Sequence, residues 1–279
     1  MTAITLPRYQ ASFGVRFRRR LLVVAAVGQA VSSTLASFFG NTFTIPDRPD
    51  EPPIVPPGGS FVIWGAIVAL SIGYAIWAES DRRPDPELRD QLTRPLLIVC
   101  IGFSLWLAAA ELEPNWTTLV IFLLMFVALL RATAYAIRRR AAIQAWGRFP
   151  RALLWGTLGL YLGWTSVAVW LNLTTGLVGS GAPTTSPVAI LGQAAILAGA
   201  TGTAMIITWY TRALLPYVAA VAWALAGVII STIQEGYPAL AITAAVGLAL
   251  VLTTAVLARR RLRSVGTQGF ATGGRRVRR

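Results

Sequence analysis

The sequence predicts an all-α protein, a polytopic membrane helix bundle with about eight transmembrane helices. Hydrophobic residues make up 55% of the 279 residues and charged residues only 13%, which is about half the charge of a soluble domain. The mean hydropathy is +0.62. Eight apolar runs follow one another along the chain, and the remaining charge lies in short blocks between them, as it does in proteins whose loops set membrane topology.

Each apolar run is predicted to form one membrane helix. The segment 81–94, between the second and third runs, is charged with mixed sign, and we expect a solvated loop there. The tail beyond residue 258 is basic and polar, and we expect it to be disordered after its first few residues. The runs cover residues 21–39, 61–77, 95–110, 116–137, 152–173, 188–210, 213–232 and 238–258.

The distribution of arginine predicts the orientation. The net charge is +14 and all 25 basic residues are Arg. With eight helices, 23 of these arginines fall on one side of the membrane, Arg48 lies alone on the other, and Arg131 lies within the fourth run. Basic loops favour the cytoplasm, so we expect both termini there. Because the positive charge is explained by topology, we expect no nucleic-acid partner.

Few polar side chains lie within the runs. Gln29 is expected to bond a neighbouring helix rather than a ligand. Arg131 either extends its guanidinium to the membrane interface, which is the commoner behaviour of such a residue, or pairs with Glu79 at the matching end of the second helix. The chain has no His and a single cysteine, Cys100, so we expect no internal disulfide and no metal site built on thiols or imidazoles.

The fifth run has an unusual face. Tyr161, Trp164, Ala168 and Asn172 are spaced by three, four and four residues, which places them on one side of a helix. A phenol and an indole beside a small residue make a flat-walled slot, and the amide adds a donor and an acceptor at its rim. Helix packing together with an interfacial aromatic belt is the alternative explanation for any one of these residues.

A proline-rich, acidic loop precedes the second run. Residues 40–60 contain six prolines, and Phe61 and Trp64 follow it three residues apart at the outer end of the second helix. Proline fixes φ and removes a hydrogen-bond donor, so this segment is stiff and non-helical. The two aromatic residues belong either to an interfacial belt or to the mouth of a cavity under this loop. Trp223, in the seventh run, is expected to lie outside such a slot.

These residues resemble the translocator protein family, the tryptophan-rich sensory proteins also known as TspO/MBR or peripheral benzodiazepine receptor-like proteins. The most specific match is the fifth helix, with a moderate match at the end of the first loop. A weaker match, Asn115–Trp116, lies between the third and fourth helices. The matching residues are Pro56, Pro57, Gly58, Phe61, Val62, Ile63, Trp64, Gly65, Tyr161, Leu162, Gly163, Trp164, Ser166, Ala168, Leu171 and Asn172.

The resemblance implies a core of five helices around a cavity that the first loop closes, and binding of a flat apolar ligand such as a tetrapyrrole or a sterol. It is closest to the longer bacterial branch, which implies a bacterial cell membrane. The chain would then divide into a basic cytoplasmic arm (1–20), the five-helix core (21–178), three additional membrane helices (179–258) and a basic cytoplasmic tail (259–279). Carried over residue by residue, the ligand-binding candidates are Phe61, Trp64, Trp116, Tyr161, Trp164, Ala168 and Asn172.

Departures from the family pattern leave the ligand open. Gly59 stands where short members often have an aromatic residue, so the loop that closes the cavity is less aromatic. The expected partners are the lipid bilayer and a hydrophobic small molecule, a homodimer is left open, and no cofactor is expected apart from a tetrapyrrole bound as the ligand.

Two other classes of function are open. A small-molecule secondary transporter would need an intramembrane polar path, for which only Arg131, Gln29 and Gln193 qualify. An enzyme acting on a hydrophobic substrate would need acid, base or nucleophile groups that converge in a pocket, and only Glu111 is suggestive. A ligand-binding sensor or carrier, without catalytic residues, is the leading hypothesis.

Overall fold

The computed structural model describes residues 11–39, 51–112 and 116–273, and every regular element in these ranges is a helix. Eight helices are long and apolar enough to cross a membrane, as predicted. A short 3₁₀ helix, Gly58–Val62, precedes the second of them, and a short helix, α5, follows the fourth. The helices are α1 (Phe13–Phe39), α2 (Ile63–Glu79), α3 (Pro86–Leu112), α4 (Thr117–Arg138), α5 (Arg140–Gln144), α6 (Arg148–Gly179), α7 (Pro187–Tyr210), α8 (Leu215–Gln234) and α9 (Pro238–Gly273).

Helix α6, which contains the fifth apolar run, is the centre of the bundle. It packs against α2, α4, α7 and α8, while α1 and α3 lie beyond α2 and α4, and α9 covers α7 and α8. Within its most apolar stretch, 83% of the residues are buried inside the protein. The aromatic face of the fifth run therefore points at other helices and not at lipid.

Two helix ends differ from the prediction. Helix α1 begins at Phe13 and α9 continues to Gly273, so both helices extend beyond the apolar runs. Once a helix is nucleated in the apolar segment, each further residue adds a hydrogen bond at little cost. A helix can therefore continue into a polar segment, and the hydropathy pattern does not predict where it ends.

The charged segment 81–94 is not a solvated loop throughout. Helix α3 begins at Pro86, and Arg89 in its first turns is fully buried. Its guanidinium donates to the carbonyl oxygens of Ala78, Ser80, Arg83 and Pro84. A buried arginine is satisfied here by the carbonyl groups of the turn that joins α2 to α3, a bonding pattern that the sequence does not show.

Arg19 links α1 to the same turn. Its Nη1 lies 2.6 Å from Asp81 Oδ1 and its Nε lies 2.7 Å from Asp90 Oδ1, and the arginine is 1% exposed. Glu79 pairs with Arg20, not with Arg131, which is exposed on α4. The alternative ion pair between Arg131 and Glu79 is therefore wrong.

Candidate functional site

The 3₁₀ helix places Phe61 and Trp64 at the entrance of α2. Pro57 is extended, with ψ of 156°, and its carbonyl oxygen accepts a 2.8 Å hydrogen bond from the backbone nitrogen of Ser60. The chain then enters α2 at Ile63. This sharp turn leaves Phe61 half-buried and Trp64 buried. The first part of the proline-rich loop, residues 40–50, lies outside the described residues, as does Asn115.

The aromatic residues of α2 and α6 meet, as the slot hypothesis requires. The ring centroids of Phe61 and Trp164 are 5.5 Å apart at 73°. Trp64 lies 6.1 Å from Trp164 and 5.4 Å from Tyr161, both edge to face. Such geometry is favourable because the positive edge of one ring faces the negative face of the other. Four of the predicted residues therefore form one contiguous group.

Three further rings from α3 and α4 complete this group. Phe103 lies 4.6 Å from Trp64, and Trp106 lies 5.7 Å from it. Phe122 packs edge to face on Trp106 at 5.0 Å. The sequence contained a signal for the first two, because they are three residues apart, the same spacing as Phe61 and Trp64. We call the whole group the aromatic cluster: Phe61, Trp64, Phe103, Trp106, Phe122, Tyr161 and Trp164.

Ala168 and Asn172 continue the face of Trp164 along α6. Ala168 is 7% exposed, and Asn172 is half-buried. The Asn172 Nδ2 donates to the Ala168 carbonyl oxygen at 2.8 Å, so part of the amide's hydrogen-bonding capacity is used by its own helix. Along α6, the small side chain of Ala168 therefore lies between the indole ring of Trp164 and the amide of Asn172.

Trp116 is placed differently from the other candidates. It precedes α4 directly and is 42% exposed. Among the described residues, no ring contact includes it. Its position at a helix end is typical of an interfacial aromatic residue.

Tyr161 combines a ring in the cluster with a polar link between helices. Its hydroxyl donates to Gln29 Oε1 at 2.8 Å, and Gln29 Nε2 lies 3.2 Å from Cys100 Sγ. All three side chains are buried. Gln29 therefore joins α1 to α3 and α6, as predicted, and Cys100 is a free buried thiol.

One donor in the aromatic cluster lacks a partner. The indole Nε1 of Trp64 is buried and forms no hydrogen bond within the described part of the chain. A buried donor without a partner costs about 1–3 kcal/mol. An oxygen atom of a bound molecule would satisfy this group.

A comparison of the sequence with protein-family models finds a match. The model described as TSPO-like protein matches residues 20–257, which include all five helices of the predicted core and most of the three that follow. No curated protein and no solved structure matches the chain. The match and the eight apolar helices together establish a multi-pass membrane protein.

Proposed function

The chain belongs to the TSPO-like protein family, and from this premise we propose that it binds a flat apolar ligand of the tetrapyrrole or sterol class at the aromatic cluster. It would act as a sensor or carrier of that ligand. The proposed partners are the ligand and the lipid of a bacterial cell membrane. Both termini are proposed to lie in the cytoplasm, because 23 of the 25 arginines fall on that side.

The contact between Phe61 and Trp164 is the observation that supports this proposal best. Two helices that are distant in sequence place their rings 5.5 Å apart, and the small side chain of Ala168 follows one turn along α6. Phe61 and Asn172 are half-buried, so the site has a partly accessible edge. Aromatic walls beside a small residue suit a planar conjugated molecule, which gains dispersion and stacking contacts there.

The free donor of Trp64 supports a ligand that has an oxygen acceptor. Both a tetrapyrrole carboxylate and a sterol hydroxyl provide such an atom. A hydrogen bond formed in a site of low polarity is stronger than one in water. The indole would then contribute specificity, while the ring contacts contribute most of the affinity.

Two of the three polar residues that a transporter would need are hydrogen-bonded within the protein. Gln29 accepts from Tyr161 and donates to Cys100, and Gln193 Nε2 donates to the Thr184 carbonyl oxygen at 2.7 Å. Arg131 lies on the exposed side of α4. These placements favour a binding protein over a transporter with a polar path through the bundle.

The direct test is an equilibrium titration of the purified protein in detergent with protoporphyrin IX, followed by porphyrin absorbance, with cholesterol as a competitor. The proposal expects saturable binding with one site per chain. Trp209→Phe is the control variant, because Trp209 lies at the end of α7 against Arg261, outside the aromatic cluster. If protoporphyrin IX shows no saturable binding, the proposal is refuted.

A further inference from the structure

The 3₁₀ helix that presents Phe61 is held by α8, one of the three additional helices. Trp223 Nε1 donates a hydrogen bond of 2.7 Å to the carbonyl oxygen of Ser60. Ser60 itself is buried. Trp223, which the sequence placed outside the slot, is therefore bonded to the residue directly before Phe61.

Gly227 lies one turn further along α8, and it allows the segment around Ser60 to approach this helix closely. A Cβ atom at Gly227 would lie 2.5 Å from Ser60 Oγ and 2.9 Å from Pro56 Cβ. Non-bonded atoms do not approach so closely, so a larger residue that forms no covalent bond with the segment 56–60 would push this segment away from α8. The absence of a side chain at this position allows the segment to rest on the helix backbone.

Helix α8 is in turn fixed to α6. A Cβ atom at Gly163 would lie 2.6 Å from the Tyr217 carbonyl oxygen, so the two backbones are in direct contact. The hydroxyl groups of Ser166 and Tyr217 are 3.2 Å apart. The helix that holds Ser60 is therefore packed against the stretch of α6 that contains Trp164.

We propose that Trp223 and Gly227 are positioning residues for the ligand site. By anchoring Ser60 to a helix packed on α6, they hold Phe61 against Trp164 and keep this wall in place around a bound ligand. This inference rests on the proposed function of the aromatic cluster. It assigns a role to α8, which lies outside the five-helix core: fixing the segment that forms one wall of the site.

The anchoring itself is tested without any ligand. In a Cys100→Ser background, Ser60→Cys combined with Gly227→Cys should form a disulfide on mild oxidation. The two Cβ atoms would lie 3.2 Å apart, and a small relaxation reaches the separation of about 3.5–4.5 Å that disulfides prefer. The control pair is Val62→Cys with Gly227→Cys, because Val62 is 69% exposed. If the control pair cross-links as readily as the Ser60 pair, or if the Ser60 pair fails to cross-link, the segment is not anchored on α8.

The positioning role is tested with Trp223→Phe, which keeps an aromatic ring and removes the indole N–H. Protoporphyrin IX is the probe, and its dissociation rate is measured by stopped flow. We expect the rate to rise about two- to tenfold, as for the loss of one neutral hydrogen bond, with little change in association rate. Trp209→Phe should leave both rates unchanged. The thermal midpoint of Trp223→Phe should fall slightly, because the Ser60 carbonyl oxygen loses its donor, so all rates are compared at one temperature well below every midpoint.

The outcomes separate this inference from the proposed function. If the parent binds the probe and Trp223→Phe releases it no faster, the contact with Ser60 is packing alone and the positioning role is refuted. If the parent shows no saturable binding, the proposed function fails and this inference fails with it. A disulfide between residues 60 and 227 that slows probe release would support both.

Discussion

Tyr161 and Gln29 are joined by a hydrogen bond of 2.8 Å between side chains that are both fully buried. The bond connects α6 to α1, so Tyr161 has a structural role through its hydroxyl as well as a place in the aromatic cluster through its ring. The two roles are separable, because Tyr161→Phe removes the first and retains the second.

Tyr161→Phe should lower the free energy of unfolding by about 1–3 kcal/mol, because it leaves the Gln29 carbonyl without its donor. Binding of protoporphyrin IX should remain within about twofold of the parent, which corresponds to less than 0.5 kcal/mol. Thermal unfolding in detergent and equilibrium titration measure the two effects. Tyr217→Phe is the matched control: it removes a hydroxyl contact with Ser166, which keeps its bond to the Gly163 carbonyl oxygen. An equal loss of stability in both variants would contradict this account of Tyr161.

Arg19→Leu should destabilise the protein by about 1.5–3 kcal/mol, because it removes the charge-assisted hydrogen bonds that Asp81 and Asp90 accept from Arg19. Arg20→Leu is the neighbouring control, since its 3.5 Å pair with Glu79 joins side chains that are 73% and 40% exposed. Exposed pairs contribute only about 0.2–1 kcal/mol. The measurement is the thermal midpoint of each variant in the same detergent, which should be lower for Arg19→Leu than for Arg20→Leu. Similar midpoints would show that Arg19 is not a structural link.

Gly163→Ala should cost about 1–3 kcal/mol, because the added methyl group forces α6 and α8 apart. The methyl carbon would lie 2.6 Å from the Tyr217 carbonyl oxygen and 2.8 Å from Ala220 Cβ. Gly202→Ala on α7 is the control, since nothing lies within 4 Å of its Cβ position. That change should stabilise the helix by about 0.5–1 kcal/mol. The thermal midpoint should therefore fall in Gly163→Ala and rise in Gly202→Ala. If both midpoints shift in the same direction, α6 packs less closely on α8 than the structure shows.

The predicted orientation is tested by reporter fusions. A fusion after Arg263 should report the cytoplasm, and a fusion at Pro183, in the turn between α6 and α7, should report the opposite side. The reason is the 23-to-1 distribution of arginine between the two sides of the membrane. A cytoplasmic signal at Pro183 would overturn the assigned orientation or the number of crossings.

The sequence predicts the helices and the face of α6 well because both depend on local periodicity. Tyr161 and Trp164 are identifiable from their spacing alone, whereas their contact with Phe61 and Trp64 on another helix is expected only from the family resemblance. The role of Trp223 is not, because its partner is 163 residues away and the residue resembles an ordinary lipid-facing aromatic. Arg89 is missed for a similar reason, since the carbonyl groups that satisfy it become available only when the turn between α2 and α3 has formed.

The central claim is that a planar ligand stacks beside Trp164 over the small side chain of Ala168. Ala168→Phe fills this space. Ala136→Phe is the control, because Ala136 is a fully buried alanine of α4 that belongs to a separate group of buried apolar residues, which includes Tyr74 and Leu92 and none of the aromatic cluster. Each substitution should cost about 1–3 kcal/mol of stability through overpacking. Titration with protoporphyrin IX should then show that Ala168→Phe weakens binding by about tenfold or more, equivalent to about 1.4 kcal/mol, while Ala136→Phe binds like the parent. If the parent binds and the two variants have the same dissociation constant, the face of α6 is packing and the ligand lies elsewhere.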